Sequence, residues 1–247
     1  MTGLLVSVRD ESEAAVAFRG GVGLLDVKEP LHGSLGAAEW PVWKSVAKLC
    51  DKWQIPMSVA VGELSDPATL DRCGDIPLGT TYAKCGLSGM RSVANWQDRW
   101  QQFVAALPRG TQPVLVHYAD STVADSPRFE AITELLATDQ PRALLIDTFE
   151  KVDGKGLLQF IELEVLEAAR EATLAKNQLL VLAGSLTLND LEVLSDFVPD
   201  WVAVRGAVCA SGRTSEVCEE RVQTWVKRVA AIPERNSRPS GTAFVNR

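Results

Sequence analysis

The chain has 247 residues, with 25 Lys+Arg against 32 Asp+Glu, a formal net charge of −7 and a mean hydropathy of +0.03. That is the balance of a globular protein long enough to bury a sizeable core. A pI near 5.0 without a basic run excludes a nucleic-acid groove as the main function, because neutralising phosphates needs clustered Lys and Arg.

No apolar stretch approaches the roughly 20 residues of a spanning helix, and Met1-Thr2-Gly3 and the short apolar run after it lack a basic leader and a cleavage site. The expectation is a cytoplasmic protein with no membrane role. The five cysteines, Cys50, Cys73, Cys85, Cys209 and Cys218, are odd in number and contain no Cys-x-x-Cys pair, so neither a disulfide framework nor a zinc knuckle is expected. With only His32 and His117 present, no histidine-rich metal site is expected either, although carboxylates remain able to hold magnesium.

Taken in chain order, apolar runs at residues 4–8, 22–27, 56–61, 82–85, 114–117, 143–146, 179–183 and 201–204 predict eight strands. Most are followed by amphipathic stretches, clearest at 37–53, 93–107, 129–138, 157–176, 188–197 and 216–229. The third unit is the weakest: residues 65–80 contain Pro67, Gly74, Pro77 and Gly79 and predict only a short helix. Alternating β and α at about 31 residues per unit predicts a single (β/α)8 TIM barrel over residues 1–232. A doubly wound open sheet is the alternative. It lacks its dinucleotide turn, since Gly20, Gly21 and Gly23 follow the first helix rather than the first strand. Residues 233–247 are polar and helix-breaking and predict a flexible, disordered tail.

Barrel enzymes carry their sites at the C-terminal ends of the strands, and here those ends are charged. The second strand closes on Asp26 and Lys28, which alternation places on one face with Leu24. Glu63 ends the third, Lys84 lies in the fourth, His117, Tyr118 and Asp120 close the fifth, and Asp147 ends the sixth with Lys151 four residues on. Any one of these, taken alone, reads first as a solvated charge at a loop start. Two lysines in strand-like runs read differently: burial and a neighbouring cation both lower an ammonium pKa, and a neutral amine attacks carbonyls. Lys28, Lys84 and Asp26 therefore predict a carbonyl-chemistry site.

Gly184-Ser185 after the seventh strand and Arg205-Gly206 after the eighth, with Ser211-Gly212-Arg213 beyond, resemble the phosphate cradle common to these barrels. A second anionic group is expected near Ser34, in the glycine-bearing segment 30–37. His117 reads as either a proton shuttle or a hydrogen-bonded structural histidine. The tryptophans, including Trp40, Trp43, Trp96 and Trp100, read as packing or subunit contacts, with Trp40 and Trp43 expected at a homo-oligomer interface.

Asp26-Val-Lys28-Glu-Pro30, Gly33-Ser-Leu-Gly36-Ala, Val61-Gly62-Glu63, Lys84-Cys-Gly86-Leu, Tyr118-Ala-Asp120, Asp147-Thr148 with Lys151, Ala183-Gly184-Ser185 and Val204-Arg205-Gly206-Ala together resemble the (5-formylfuran-3-yl)methyl phosphate synthases. The resemblance runs in order from the first strand to the eighth and is loosest at Glu63 and His117. It implies a TIM-barrel lyase that joins two molecules of glyceraldehyde 3-phosphate, losing one phosphate and water, to give 4-(hydroxymethyl)-2-furancarboxaldehyde phosphate in methanofuran biosynthesis. No cofactor is implied, and the partner is the small triose phosphate. Carried over by position, Lys28 is the Schiff-base lysine, Asp26 its acid/base neighbour, and Lys84, Asp147 and Lys151 proton-transfer or charge-stabilising groups. Lys155 competes with Lys151 for that role. Two other readings stand beside this one: a class I aldolase acting on a phosphorylated sugar, and a non-catalytic phosphometabolite-binding barrel.

Overall fold

A computed structural model describes residues 1–151 and 155–232. The expected tail 233–247, and Asp153 and Gly154 of the turn leading to Lys155, lie outside the described residues. Eight parallel strands, β1 Gly3–Val8, β2 Leu24–Val27, β3 Met57–Glu63, β4 Tyr82–Gly86, β5 Gln112–Tyr118, β6 Ala143–Asp147, β7 Leu179–Leu182 and β8 Trp201–Val204, pair in sequence order and close on themselves. Closure rules out the open doubly wound sheet. The helices between them are α1 Glu11–Arg19, α2 Trp40–Trp53, α3 Ala68–Cys73, α4 Trp96–Ala106, α5 Phe129–Leu136, α6 Leu163–Ala175, α7 Asp190–Leu194 and α8 Glu219–Val229.

Strand alternation divides the apolar residues into two layers. Val6, Leu25, Val59, Leu115, Leu144 and Leu180 face outward and pack under the helices, forming the main core. Ala60, Val114, Val116, Leu145, Val181 and their neighbours fill the barrel interior. At the N-terminal end of the barrel the Trp201 ring lies across Gly3, where a Cβ would come within 2.4 Å of it. A glycine is therefore required there to admit the ring.

Local signals set the helix ends. Asp10 caps α1 by accepting from the Glu13 amide, and Gln54 ends α2 in the left-handed region with φ 55°. The expected single helix over 157–176 is instead a 3₁₀ turn, Leu157–Gln159, followed by α6. The Leu157 amide donates to the Gly184 carbonyl at 2.8 Å, which ties the turn to the β7 end instead of letting it run into the helix. One further expectation is corrected: Trp43 is 1% exposed and belongs to the core, while Trp40, one turn earlier, is 46% exposed with the Lys44 ammonium over its ring. One tryptophan is thus buried and the other exposed, and they do not form a joint surface patch.

Candidate active site

Side chains at inward positions of β2, β4 and β6 meet at the C-terminal mouth of the barrel, around a cavity of about 660 Å³. Its walls carry Asp26, Lys28, Lys84, Asp147, Lys151 and Arg213. The register explains the meeting: Asp26 pairs across to Ser7 of β1 and Ser58 of β3, and Asp147 pairs with Tyr118 of β5. All these positions have inward parity, so a polar layer sits directly above the apolar interior.

Two ion pairs flank one amine. Lys84 is bonded to Asp26 and donates to Ser58 Oγ at 3.3 Å, while Ser7 Oγ donates to the other Asp26 oxygen at 2.9 Å. Lys151 Nζ donates to Asp147 Oδ1 at 2.6 Å and to Thr148 Oγ1 at 3.0 Å. Between them stands Lys28, 8% exposed, which donates to the Ser34 carbonyl at 3.2 Å and has no carboxylate within 4.0 Å among the described residues.

Burial is the largest influence on all three central groups. It lowers the Lys28 pKa to about 8, against the opposing pull of Asp147 and Asp26 and with smaller help from Lys151 and Lys84. The neighbouring cation invoked from the sequence is thus the lesser cause. Burial alone raises the carboxyls, but the paired lysines outweigh it: Lys84 and Lys28 hold Asp26 below the ordinary range, and Lys151 and Lys28 do the same for Asp147. The site therefore holds two carboxylates beside an amine poised near neutrality. Among the described residues no group of three or more His, Cys, Asp or Glu is placed to hold a metal ion.

The turns after β7 and β8 line the same cavity. Gly184 has φ +106° and a Cβ there would sit 3.0 Å from Thr148 Cγ2, so the turn after β7 requires a glycine. The N–H groups of Ser185, Leu186, Gly206 and Ala207 have no protein acceptor among the described residues, and all four residues line the cavity. These amides are free to donate to an acceptor in the cavity.

Other expected residues are placed differently. Arg205 lines the cavity, but its guanidinium is occupied: it pairs with Glu13 through 2.7 and 3.1 Å bonds and donates to the carbonyls of Ser7 at 2.9 Å and Arg213 at 2.6 Å. It braces the β8 loop instead of reaching for substrate. His117 points outward, edge-on to Phe129 of α5, because its neighbours Val116 and Tyr118 take the inward positions. Burial pushes its pKa down to about 4, so it is a neutral ring in the sheet–helix layer and not a proton shuttle for the cavity. Asp120 accepts from the amides of Phe149 and Glu150 at 2.7 and 2.8 Å, and thereby fixes the β6 loop that carries Lys151.

Ser34 also serves the scaffold. Its hydroxyl donates to the Thr148 carbonyl at 2.9 Å, and the backbone groups its segment offers to the cations are the Gly33 and Ser34 carbonyls. These two carbonyls are taken by Lys28 and Arg213. Lys155 is exposed with its ammonium 6.0 Å from the Phe160 ring, which leaves Lys151 as the lysine of this loop in the cavity.

Glu63 and Tyr118 form a pair behind the cavity wall. Strict alternation would turn Glu63 outward with Val59 and Val61. Gly62, at φ +104° within a register shift of β3 against β4, re-aims it inward, where Tyr118 Oη donates to Glu63 Oε1 at 2.6 Å. A Cβ at Gly86 would lie 2.0 Å from the Glu63 carboxylate, so a glycine there makes the pair possible. Burial raises the Glu63 pKa, opposed by the bonds from Tyr118 and the Ser88 amide. Sequence reasoning missed Ser7, Ser58 and Glu13 altogether, and quoted Thr148 only within the Asp147-Thr148 motif, without a role. The first two were signalled by polar residues at inward parity within apolar strands.

A closed (β/α)8 barrel with buried lysines and carboxylates at its C-terminal mouth has the architecture of a barrel enzyme. Comparison with known proteins makes the assignment specific. The family model described as 4-HFC-P synthase matches residues 4–226, and the chain belongs to that family of enzymes. It is 31% identical to the (5-formylfuran-3-yl)methyl phosphate synthase of Methanococcus maripaludis, covering 86% of this chain and 92% of that protein. It is also 31% identical to the synthase of the same name from Methanosarcina barkeri, covering 92% and 99%. Among solved structures it resembles phosphoribosyl anthranilate isomerase from Thermotoga maritima, with TM-score 0.64 and 10% identity over 93% of this chain and 99% of that one. It also resembles 3-hexulose-6-phosphate synthase from Salmonella typhimurium, with TM-score 0.58 and 16% identity over 92% and 100%. At such identities these two likenesses speak for the fold alone. Among the described residues no helix is long and apolar enough to cross a membrane.

Proposed function

We propose that this enzyme joins two molecules of glyceraldehyde 3-phosphate into 4-(hydroxymethyl)-2-furancarboxaldehyde phosphate, with release of one phosphoric acid and two waters, through an imine on Lys28. The product is a building block for methanofuran. The observation that carries the reading is Lys28 itself: a buried lysine without an ion-pair partner, its pKa lowered to about 8, set between two lysine–carboxylate pairs.

In this mechanism the neutral Lys28 amine attacks the aldehyde carbon of one triose phosphate, and water leaves as the imine forms. The imine acidifies the adjacent carbon; loss of that proton expels the phosphate and leaves an enol whose terminal carbon is a carbanion equivalent. That terminal carbon adds to the ketone carbon of the second molecule after its isomerisation to the ketose. Ring closure and dehydration give the aromatic furan, and hydrolysis returns the free amine. Asp26 and Asp147 stand on either side of Lys28 as proton carriers, with Lys84 and Lys151 supplying positive charge to developing oxyanions and to the departing phosphate.

The test is incubation of the purified protein with glyceraldehyde 3-phosphate alone, with mass spectrometry for the furan aldehyde phosphate and an assay of released phosphate. One phosphate per furan is the expected result. A reversible aldol product without phosphate release assigns the site to class I aldolase chemistry instead, and unchanged substrate contradicts catalysis.

The pH dependence follows from the same amine. Attack requires Lys28 unprotonated, so kcat/KM is expected to rise with pH through about 8. Asp147 raises the Lys28 pKa, so Asp147→Asn moves this rising limb to lower pH, whatever it does to the maximal rate. A limb that stays in place or moves upward contradicts the assignment. Stability moves in the same direction: the folded pKa lies below the ordinary 10.5, so the unfolded chain binds more proton between about 8 and 10.5. The Lys28 contribution to stability therefore rises with pH across that window.

A further inference from the structure

A phosphorylated substrate needs a cation that the protein has not already neutralised. Of the lysines and arginines lining the cavity, Lys84 is paired with Asp26, Lys151 with Asp147 and Arg205 with Glu13, while Lys28 becomes the imine nitrogen. Arg213 is left. It is half-buried, lines the cavity, and among the described residues has no carboxylate partner. Its Nη2 donates to the Gly33 carbonyl at 3.0 Å, while Nε and Nη1 have no acceptor among those residues.

The placement of Arg213 is built. The fixed Arg205 guanidinium holds the Arg213 carbonyl at 2.6 Å, and its pairing with Glu13 anchors that contact in the core. A Cβ on Gly206 would stand 3.5 Å from Arg213 Cβ, so the stem of Arg213 runs beside the open amides of Gly206 and Ala207. Burial lowers the Arg213 pKa and the charge of Asp147 opposes that shift, which places the guanidinium within electrostatic reach of the reacting end.

We propose that Arg213 clasps the phosphate of a triose phosphate at the β7–β8 side of the cavity, together with the amides after those strands, and so selects phosphorylated over free aldehydes. The assignment rests on the triose-phosphate reading given above. A guanidinium fork suits this task because it offers two parallel N–H donors to a phosphate and keeps its charge at every working pH. Arg205 then acts as a positioning residue for Arg213.

The test compares wild type with Arg213→Gln, whose amide can still donate to the Gly33 carbonyl but carries no charge. Titration with inorganic phosphate, independent of turnover, is expected to show affinity weakened about 100-fold, with a similar rise in KM for glyceraldehyde 3-phosphate. Borohydride trapping on Lys28 in the variant is expected to fall far less for unphosphorylated glyceraldehyde than for glyceraldehyde 3-phosphate. Wild-type phosphate affinity and an unchanged KM in Arg213→Gln overturn the proposal. If wild type itself makes no furan and traps no aldehyde, the proposed function fails, while the phosphate titration still reads Arg213 separately.

Discussion

Lys28→Arg is expected to abolish furan formation, with turnover falling about 10⁴-fold or more, while affinity for inorganic phosphate stays within a few-fold of wild type. The substitution keeps a cation between Asp26 and Asp147, so the electrostatic balance of the cavity is preserved. What it removes is the free lone pair, because a guanidinium stays protonated and delocalised at any pH at which the barrel is folded. The two flanking ion pairs do not depend on Lys28 for their bonds and should remain formed. Loss of turnover with retained phosphate binding therefore separates the nucleophile from the cradle. Steady-state assay of the variant alongside a phosphate titration checks both halves, and near-normal activity refutes the imine.

Glu13→Ala is expected to destabilise the fold by about 3–5 kcal/mol, because it strands the Arg205 guanidinium in the core. Both side chains are nearly inaccessible, at 4% for Arg205 and 7% for Glu13. Glu13 also accepts the Arg9 amide at 2.8 Å, so its loss unties the start of α1 as well as the β8 loop. For a domain of this size the fall in Tm is about 10 °C. Differential scanning calorimetry measures it directly. A fall of a degree or two shows that the pair is a replaceable contact and not the brace between α1 and β8. At temperatures where the variant remains folded, KM should rise more than kcat falls, since the loop that carries Gly206 and Arg213 loses its anchor.

The two predictions concern residues of very different legibility. Lys28, Asp26 and Asp147 stand at or just beyond the ends of apolar runs, at the parity of their inward neighbours, so alternation alone delivered them to one mouth. The eight strands were legible for the same reason: apolar runs separated by amphipathic stretches leave few other arrangements. Glu13 was invisible. It lies 192 residues from Arg205, on a helix whose first turn also carries Glu11, and only closure of β1 onto β8 brings the pair together.

His117 failed differently. Both faces of a barrel strand are buried, so Val114, Leu115 and Val116 carry no contrast by which to set parity, and the inward or outward sense of the next residue is ambiguous. Glu63 defeats the parity argument outright, because the irregularity at Gly62 reverses the direction that alternation assigns. Arg205 and Arg213 could not be ranked from the sequence, since which arginine keeps free donors depends on a carboxylate elsewhere in the chain. In each case the missing information was a long-range contact or a local break in periodicity, neither of which a short window of sequence contains.

The central claim is that substrate becomes covalently attached to Lys28. The most direct measurement is borohydride reduction of the protein in the presence of glyceraldehyde 3-phosphate, followed by peptide mapping by mass spectrometry. The account predicts a single reduced adduct on the peptide containing Lys28, absent in Lys28→Arg. An adduct on Lys84 or Lys151, or furan production with no trapped adduct at all, would contradict it.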